Sequence, residues 1–334
     1  MPQSKDDIWR IEWPHGSAEI QKLGGMLGPV WFRLEDGRRF QPMHIAPWAD
    51  ESNSLGLTGL LSRLRGEWPC VPFGTNVAPA PMPAGWTART SDKDPFFHGF
   101  SAHNPWQLCE SREGYLHLAV EYPEESPVIG LDRWICGSRE GPILNVKLAI
   151  RVRRQIELPT ALHLTFRMDS LPGSLAVSAD SIENVIAYPC QVEPDISRLL
   201  PDGRSPTLQA VDAIDGPMDL SSLPFPFATE ELVQLVNCRG VIRLQYLREN
   251  ATVSLNWDQD SLPDAVLWLS NGGRSYSPWN GRHFALGIEP VAGAFDLGRV
   301  ANPPESHPLA RRFLKLHPDI PTTLSYTLTA SVMK

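Results

Sequence analysis

Residues 144–152, LNVKLAIRV, alternate Leu144, Val146, Leu148, Ile150 and Val152 with Asn145, Lys147, Ala149 and Arg151. This is the period of a strand with one face in a core and the other in solvent. The same alternation runs through LHLTFRMD from Leu162, ATVSLNW from Ala251 and LSYTLTASV from Leu324, with shorter runs in LHLAVEY from Leu116 and IRLQY from Ile242. Period-two runs separated by turn-rich stretches predict antiparallel sheets with one polar face each. A helical spacing of leucines occurs only in SLGLTGLLSRLRG, residues 54–66, and its glycines weaken it. The expectation is an all-β fold of large antiparallel sheets with few short helices. Prolines and glycines are spread along the chain, densest in the extended-loop segment APAPMPAG at 78–85, so residues 1–334 are read as a single domain.

Composition narrows the function. A formal charge of -8 argues against a general phosphate-backbone binder. The Arg151–Arg154 cluster reads as a solvated strand face, so no nucleic-acid partner is expected. No run approaches the length of a membrane helix, and the amino terminus lacks the pattern of a secretory leader. A cytoplasmic protein without membrane association is expected. The cysteines Cys70, Cys109, Cys136, Cys190 and Cys238 are widely spaced without a CxxC pair, which predicts buried free thiols and no metal site. Eleven tryptophans supply flat apolar faces with an N–H at the edge. Most belong to the core, and two or three are expected in a cleft.

One carboxylate stands out. In GRHFALGIEPV, Glu289 follows the apolar run Phe284 to Ile288 and precedes Pro290. An unpaired carboxylate in a buried strand costs several kcal/mol. Either Glu289 has a structural partner, backbone amides or an arginine such as Arg282, or burial tunes its pKa for chemistry.

Several segments, in order, resemble the aldose 1-epimerase or galactose mutarotase-like superfamily. EIQKLGGMLGPVWFRLEDGRRFQPM is similar to its opening, PCVPFG at 69–74 to its proline-rich segment, FFHGFSAHNPWQL at 96–108 to its His-Gly motif, and LGIEP to its Glu-Pro signature. The resemblance implies a β-supersandwich with a concave sugar-binding face and a small-molecule carbohydrate ligand. It implies no cofactor. The implied activity is anomer interconversion of a hexose or modified hexose, in which a base takes the anomeric hydroxyl proton and an acid protonates the ring oxygen. Glu289 would be the base and His98 would contact the ring or a neighbouring hydroxyl, with Gly99 allowing close backbone approach. The alternative for His98 is a capping or core histidine.

The chain also departs from the superfamily pattern. Where active members carry a second histidine before a proline, NVIAYPCQVEP at 184–194 has Ala187 and Tyr188 before Pro189. Tyr188 and His103 are the candidate acids, although a phenol near pKa 10 is weaker than imidazolium; a packed aromatic is the other reading of Tyr188. Trp106 is a candidate stacking platform or a core residue. Asn271, Arg274 and Arg282, in WLSNGGRSYSPWNGR, are candidates to bond sugar hydroxyls, a carboxylate or a phosphate. HIAPWADE at 44–51 groups His44, Trp48, Asp50 and Glu51 but fits no ligand spacing and reads as a surface loop. Two other functions stay open: a carbohydrate-binding protein without turnover, and a different sugar-active enzyme on the same scaffold.

Overall fold

A computed structural model describes residues 7–51, 56–90, 94–310 and 312–333. The first six residues, part of the stretch read for a leader, and Ser54 and Leu55 at the head of the expected helix lie outside the described residues.

Among the described residues two large antiparallel sheets dominate, one of nine strands and one of eleven. Five of the six alternating runs fall in the nine-stranded sheet. Its order is Ser222–Leu223, Leu175–Ser181, Arg239–Tyr246, Ala251–Trp257, Thr322–Val332, Ile143–Val152, Val128–Gly137, Tyr115–Glu121, Gln107–Arg112. Its inner strands bury largely alternate residues, as Tyr115–Glu121 does with Leu116, Leu118 and Val120, while the edge strand Gln107–Arg112 is exposed throughout, because one face meets water and the other packs on the second sheet.

The centre of the eleven-stranded sheet behaves differently. Glu67–Cys70, Thr160–Arg167, Phe284–Ala292, Asp264–Asn271, Thr229–Val236 and Asn184–Ala187 lie side by side in that order. Asp264–Asn271 is buried at all eight positions. One face of these strands joins the main core, with Leu164, Ile288, Leu267 and Leu235. The other is covered by loops and a second apolar cluster that includes Trp48, Leu60, Leu64, Trp68, Phe73, Trp268 and Trp279.

A buried ion pair bridges the sheets. Arg133 of Val128–Gly137 bonds Glu67 of the larger sheet, donates to the Gly25 carbonyl, and shares Glu67 with the Tyr326 hydroxyl at 2.7 Å.

Three expectations need correction. The leucine-rich segment forms only a short 3₁₀ helix, Gly59–Arg63, since Gly56, Gly59 and Gly66 all adopt positive φ. The 44–51 segment is not a surface loop throughout, because His44 and Trp48 are buried and their rings pack against His283. Of the cysteines, Cys70 and Cys238 are buried, but Cys109 and Cys136 are exposed. No helix among the described residues is long and apolar enough to cross a membrane, and no group of three or more His, Cys, Asp or Glu among them could hold a metal ion.

Candidate active site

The site grows from one row of residues running across the larger sheet. Trp68 is the cross-strand partner of His163. The register of the next pair, Ala161 with Val291 and Leu164 with Ile288, sets His163 opposite Glu289. Glu289 pairs with Val266, and Val266 with Gln234. Neighbours in such a row share a face of the sheet. His163 Nε2 lies 3.2 Å from Glu289 Oε1, and the His163 ring stacks on Trp68 with centroids 4.1 Å apart. Gly287, two residues before Glu289 on the same face, leaves room for the carboxyl: a Cβ there would sit 2.9 Å from Glu289 Oε1 and 3.0 Å from Trp268 Cβ.

This row floors a cavity of about 250 Å³. Leu60, Leu61 and Leu64 close one side, and Trp268, Trp279 and Arg274 another. Three of the eleven tryptophans, Trp68, Trp268 and Trp279, therefore line it.

His98 enters from the loop before the 3₁₀ turn Phe100–Ala102. Its backbone is left-handed at φ 58, its N–H donates to the Gly74 carbonyl at 2.8 Å, and a Cβ at Gly99 would fall 2.5 Å from the Val71 oxygen. A non-glycine residue held in that region stores strain that the surroundings must impose. Arg299 imposes it here, donating to the carbonyls of Phe96 at 2.6 Å and Asp94 at 2.7 Å. The His98 ring meets His163 edge to face at 5.2 Å, and its Nδ1 has no hydrogen-bond partner among the described residues.

Asp296 is fixed by another route. It lies in the 3₁₀ turn Phe295–Leu297, after Phe295 with φ 49. Gln234, the fully buried end of the row, accepts from the Phe295 N–H at 2.7 Å and donates to the Gly293 carbonyl at 2.9 Å. The Asp296 carbonyl accepts from the Thr75 N–H at 2.7 Å. Its side chain accepts the Tyr188 hydroxyl proton at 2.8 Å.

Burial dominates the electrostatics. It pushes Glu289 well above the usual carboxylate range, and the Asp296 charge adds to the shift. It also raises Asp296, but the Tyr188 hydrogen bond, the Asp296 backbone N–H and Arg274 oppose the rise. Burial holds His98 down to about 3, with smaller effects from His103 and Arg299, and holds His163 well below its ordinary value, with His98 adding to it. Both imidazoles are neutral at pH 7.

Arg274 is the one cationic side chain lining the cavity among the described residues. Its guanidinium lies over Trp279 at 4.6 Å and Trp268 at 5.6 Å. Its Nε is 3.5 Å from Glu193 and 3.9 Å from Glu230. Glu230 is itself held by Ser270 Oγ at 2.7 Å and Trp268 Nε1 at 3.2 Å.

Of the residues singled out from sequence, Glu289, His98, Tyr188 and Arg274 line this cavity. The other four do not. His103 ties two loops together, its Nε2 on the Phe97 carbonyl at 2.9 Å and its Nδ1 accepting from the Leu60 N–H at 3.4 Å. Trp106 is a core residue whose N–H donates to the Ser101 carbonyl. Asn271 is consumed by the backbone of Phe225 and Phe227. Arg282 makes an exposed ion pair with Glu51 at 2.7 Å and is no partner of Glu289. Tyr188 is also a poor acid, since burial and then the Asp296 charge push its phenol further up. Sequence reasoning missed His163 and Asp296. The alternation of LHLTFRMD predicts a polar face for His163, and nothing around Asp296 marks it.

Together these features define an antiparallel two-sheet supersandwich with a carboxyl- and imidazole-bearing cavity on the outer face of the larger sheet. Its architecture matches solved structures along nearly the whole chain. A candidate aldose 1-epimerase from Escherichia coli aligns with a TM-score of 0.65 at 14% identity, covering 98% of this chain and 99% of that one. The GalM/aldose epimerase homologue from C. elegans gives 0.60 at 12% identity, with 98% and 99% covered. A galactose mutarotase-like protein from Lactobacillus casei gives 0.58 at 12%, with 97% and 99% covered. No protein-family model and no curated protein sequence matches the chain. The chain has the galactose mutarotase-like fold, and the resemblance read from its motifs is a resemblance of that fold.

Proposed function

We propose that the cavity binds the ring form of a neutral aldose and interconverts its anomers, with Glu289 as a proton-transfer group. The observation that carries this reading is the Glu289–His163 pair: a carboxyl in the floor of a tryptophan-lined cavity, with one imidazole beside it and desolvation raising its pKa toward the operating pH. The cavity is smaller than the roughly 300–1,000 Å³ typical of sites for drug-sized ligands, which suits a single sugar ring. Trp268 and Trp279 offer indole surface to its C–H groups. His98, neutral and with Nδ1 unengaged, is placed to bond a ring or hydroxyl oxygen. The aldose epimerase and mutarotase names carried by proteins of the same fold agree with this assignment.

The charge balance of the wall favours a neutral sugar over a phosphorylated one. Arg274 is already flanked by Glu193 and Glu230, and Asp296 lines the same space. A phosphate would meet more negative than positive charge there.

Magnetisation-exchange NMR on a panel of aldoses and their 6-phosphates tests the proposal. Wild type should accelerate anomer exchange of a neutral aldose. Glu289→Gln should slow that exchange by about 10²–10⁴-fold while keeping ligand-induced shifts. Binding without exchange in wild type would identify a sugar-binding protein instead, and a preference for the 6-phosphate would overturn the neutral-substrate assignment.

A further inference from the structure

Ring opening needs two proton-transfer groups. The anomeric hydroxyl must lose a proton as the ring oxygen gains one, and a single carboxyl cannot do both at once. Tyr188 stands where the superfamily resemblance implies a histidine, but its hydroxyl is committed as donor to Asp296. His98 and His163 are neutral and have no spare proton of suitable acidity. One lining group with the right chemistry is left.

We propose that Asp296 is the second proton-transfer residue, working with Glu289 across the sugar's C1–O5 bond, and that Tyr188 is its positioning residue. This rests on the anomer-interconversion reading above. The geometry supports it in three ways. Asp296 lines the same cavity as Glu289 and is half-buried. Its backbone is fixed on both sides, by Gln234 through the Phe295 N–H and by Thr75 through its own carbonyl. Gln234 and Glu289 both flank Val266 in one cross-strand row, so a single line of the sheet positions both carboxyls.

The environments also separate the two roles. Asp296 has donors that favour its ionised form, the Tyr188 hydroxyl and a backbone N–H, with Arg274 helping. Glu289 has only the His163 ring, at 3.2 Å, and is raised further by the Asp296 charge. With the Tyr188 hydroxyl donating to Asp296 at 2.8 Å, the proposed arrangement has the carboxylate on Asp296 and the proton on Glu289. In opening, the Asp296 carboxylate takes the proton from O1, the O1–H electrons form the C1=O bond, C1–O5 breaks, and O5 takes the proton from the Glu289 carboxyl. After rotation about C1–C2, O5 attacks the other carbonyl face, its proton returns to Glu289, and O1 recovers one from Asp296. No proton or electron is gained or lost.

The charged and titratable groups facing Asp296 are Tyr188 and Cys190 from the segment after Asn184–Ala187, Arg274 from the loop after Asp264–Asn271, and Glu289; those facing Glu289 are His163 of Thr160–Arg167, Cys70 of Glu67–Cys70, and Asp296. Activity should therefore be bell-shaped in pH, needing Asp296 ionised on the acid side and Glu289 protonated on the alkaline side. Anomer-exchange rates for a neutral aldose in wild type, Asp296→Asn and Tyr188→Phe test this. Asp296→Asn should lose at least about 100-fold in exchange rate while retaining the sugar-induced shifts. Tyr188→Phe removes the donor that favours the Asp296 carboxylate, so its acid limb should move to higher pH with the alkaline limb much less affected. Exchange in wild type that survives in Asp296→Asn, or an acid limb unmoved in Tyr188→Phe, overturns the Asp296 assignment alone. No exchange in wild type overturns the underlying function reading instead. Should Asp296→Asn fail to fold, the limb shift in Tyr188→Phe decides the matter.

Discussion

His44 lies behind the cavity wall, buried at 7% exposure against His283, with its Nε2 unpartnered among the described residues. Burial holds its pKa down to about 3. In the unfolded chain it titrates near 6.5. As pH falls below that value the unfolded state binds a proton that the native state refuses, so stability drops until the folded pKa is reached. Replacing His44 by Phe keeps a ring against His283 and removes the titration. Urea denaturation at pH 7 and pH 5 should show a smaller loss of stability in the variant, by about 2 kcal/mol over that interval. At this scale the sequence was informative for Glu289, because a carboxylate in an apolar run is visible as an anomaly. It was uninformative for His163 because a polar residue at alternate strand positions has the same pattern whether it faces water or a buried cavity. Asp296 was hidden for a different reason, since its importance comes from the Tyr188 hydroxyl bonded to it and from Gln234 holding the Phe295 N–H beside it, both remote in sequence.

Strand pairing turns these single residues into a site. Register brings Trp68, His163, Glu289, Val266 and Gln234 into one line, and a slip by one residue would turn each side chain to the opposite face. Gly287 shows how tight that line is. Its backbone is ordinary extended strand, so Gly287→Ala tests space alone. The new methyl would press on the Glu289 carboxyl and the base of Trp268. Anomer-exchange NMR should show a loss of about 100-fold, as expected for a reacting group misplaced by about 1 Å, while the circular dichroism spectrum stays that of the wild type. The strands themselves were legible where water enforces alternation, at 115–121, 143–152, 251–257 and 322–332. Asp264–Asn271 and Phe284–Ala292, at the centre of the larger sheet, are buried on both faces, so their sequences carry little alternation and their neighbours cannot be inferred from it.

At the scale of the molecule, the two sheets are joined by a large apolar interface and by one buried charge cluster, Glu67 with Arg133 and Tyr326. Burying such a pair is costly, and removing one partner is costlier than removing both. Arg133→Met should destabilise the protein by about 3–5 kcal/mol in guanidinium denaturation, because Glu67 is left charged or protonated in the core. The double replacement Glu67→Met with Arg133→Met should recover most of that loss. A single variant with unchanged midpoint would show that the cluster contributes no net tie between the sheets.

The transverse row that floors the cavity also bears on how the protein is made. Its members come from strands scattered between Trp68 and Glu289, and none of its cross-strand contacts joins residues close in sequence. Non-local pairing of this kind forms slowly, after the entropy of closing long loops has been overcome. The binding space cannot appear on a nascent or clipped chain and arises only when the central strands have all found their places. A ligand bound there stabilises the finished fold and has no partly folded form to hold.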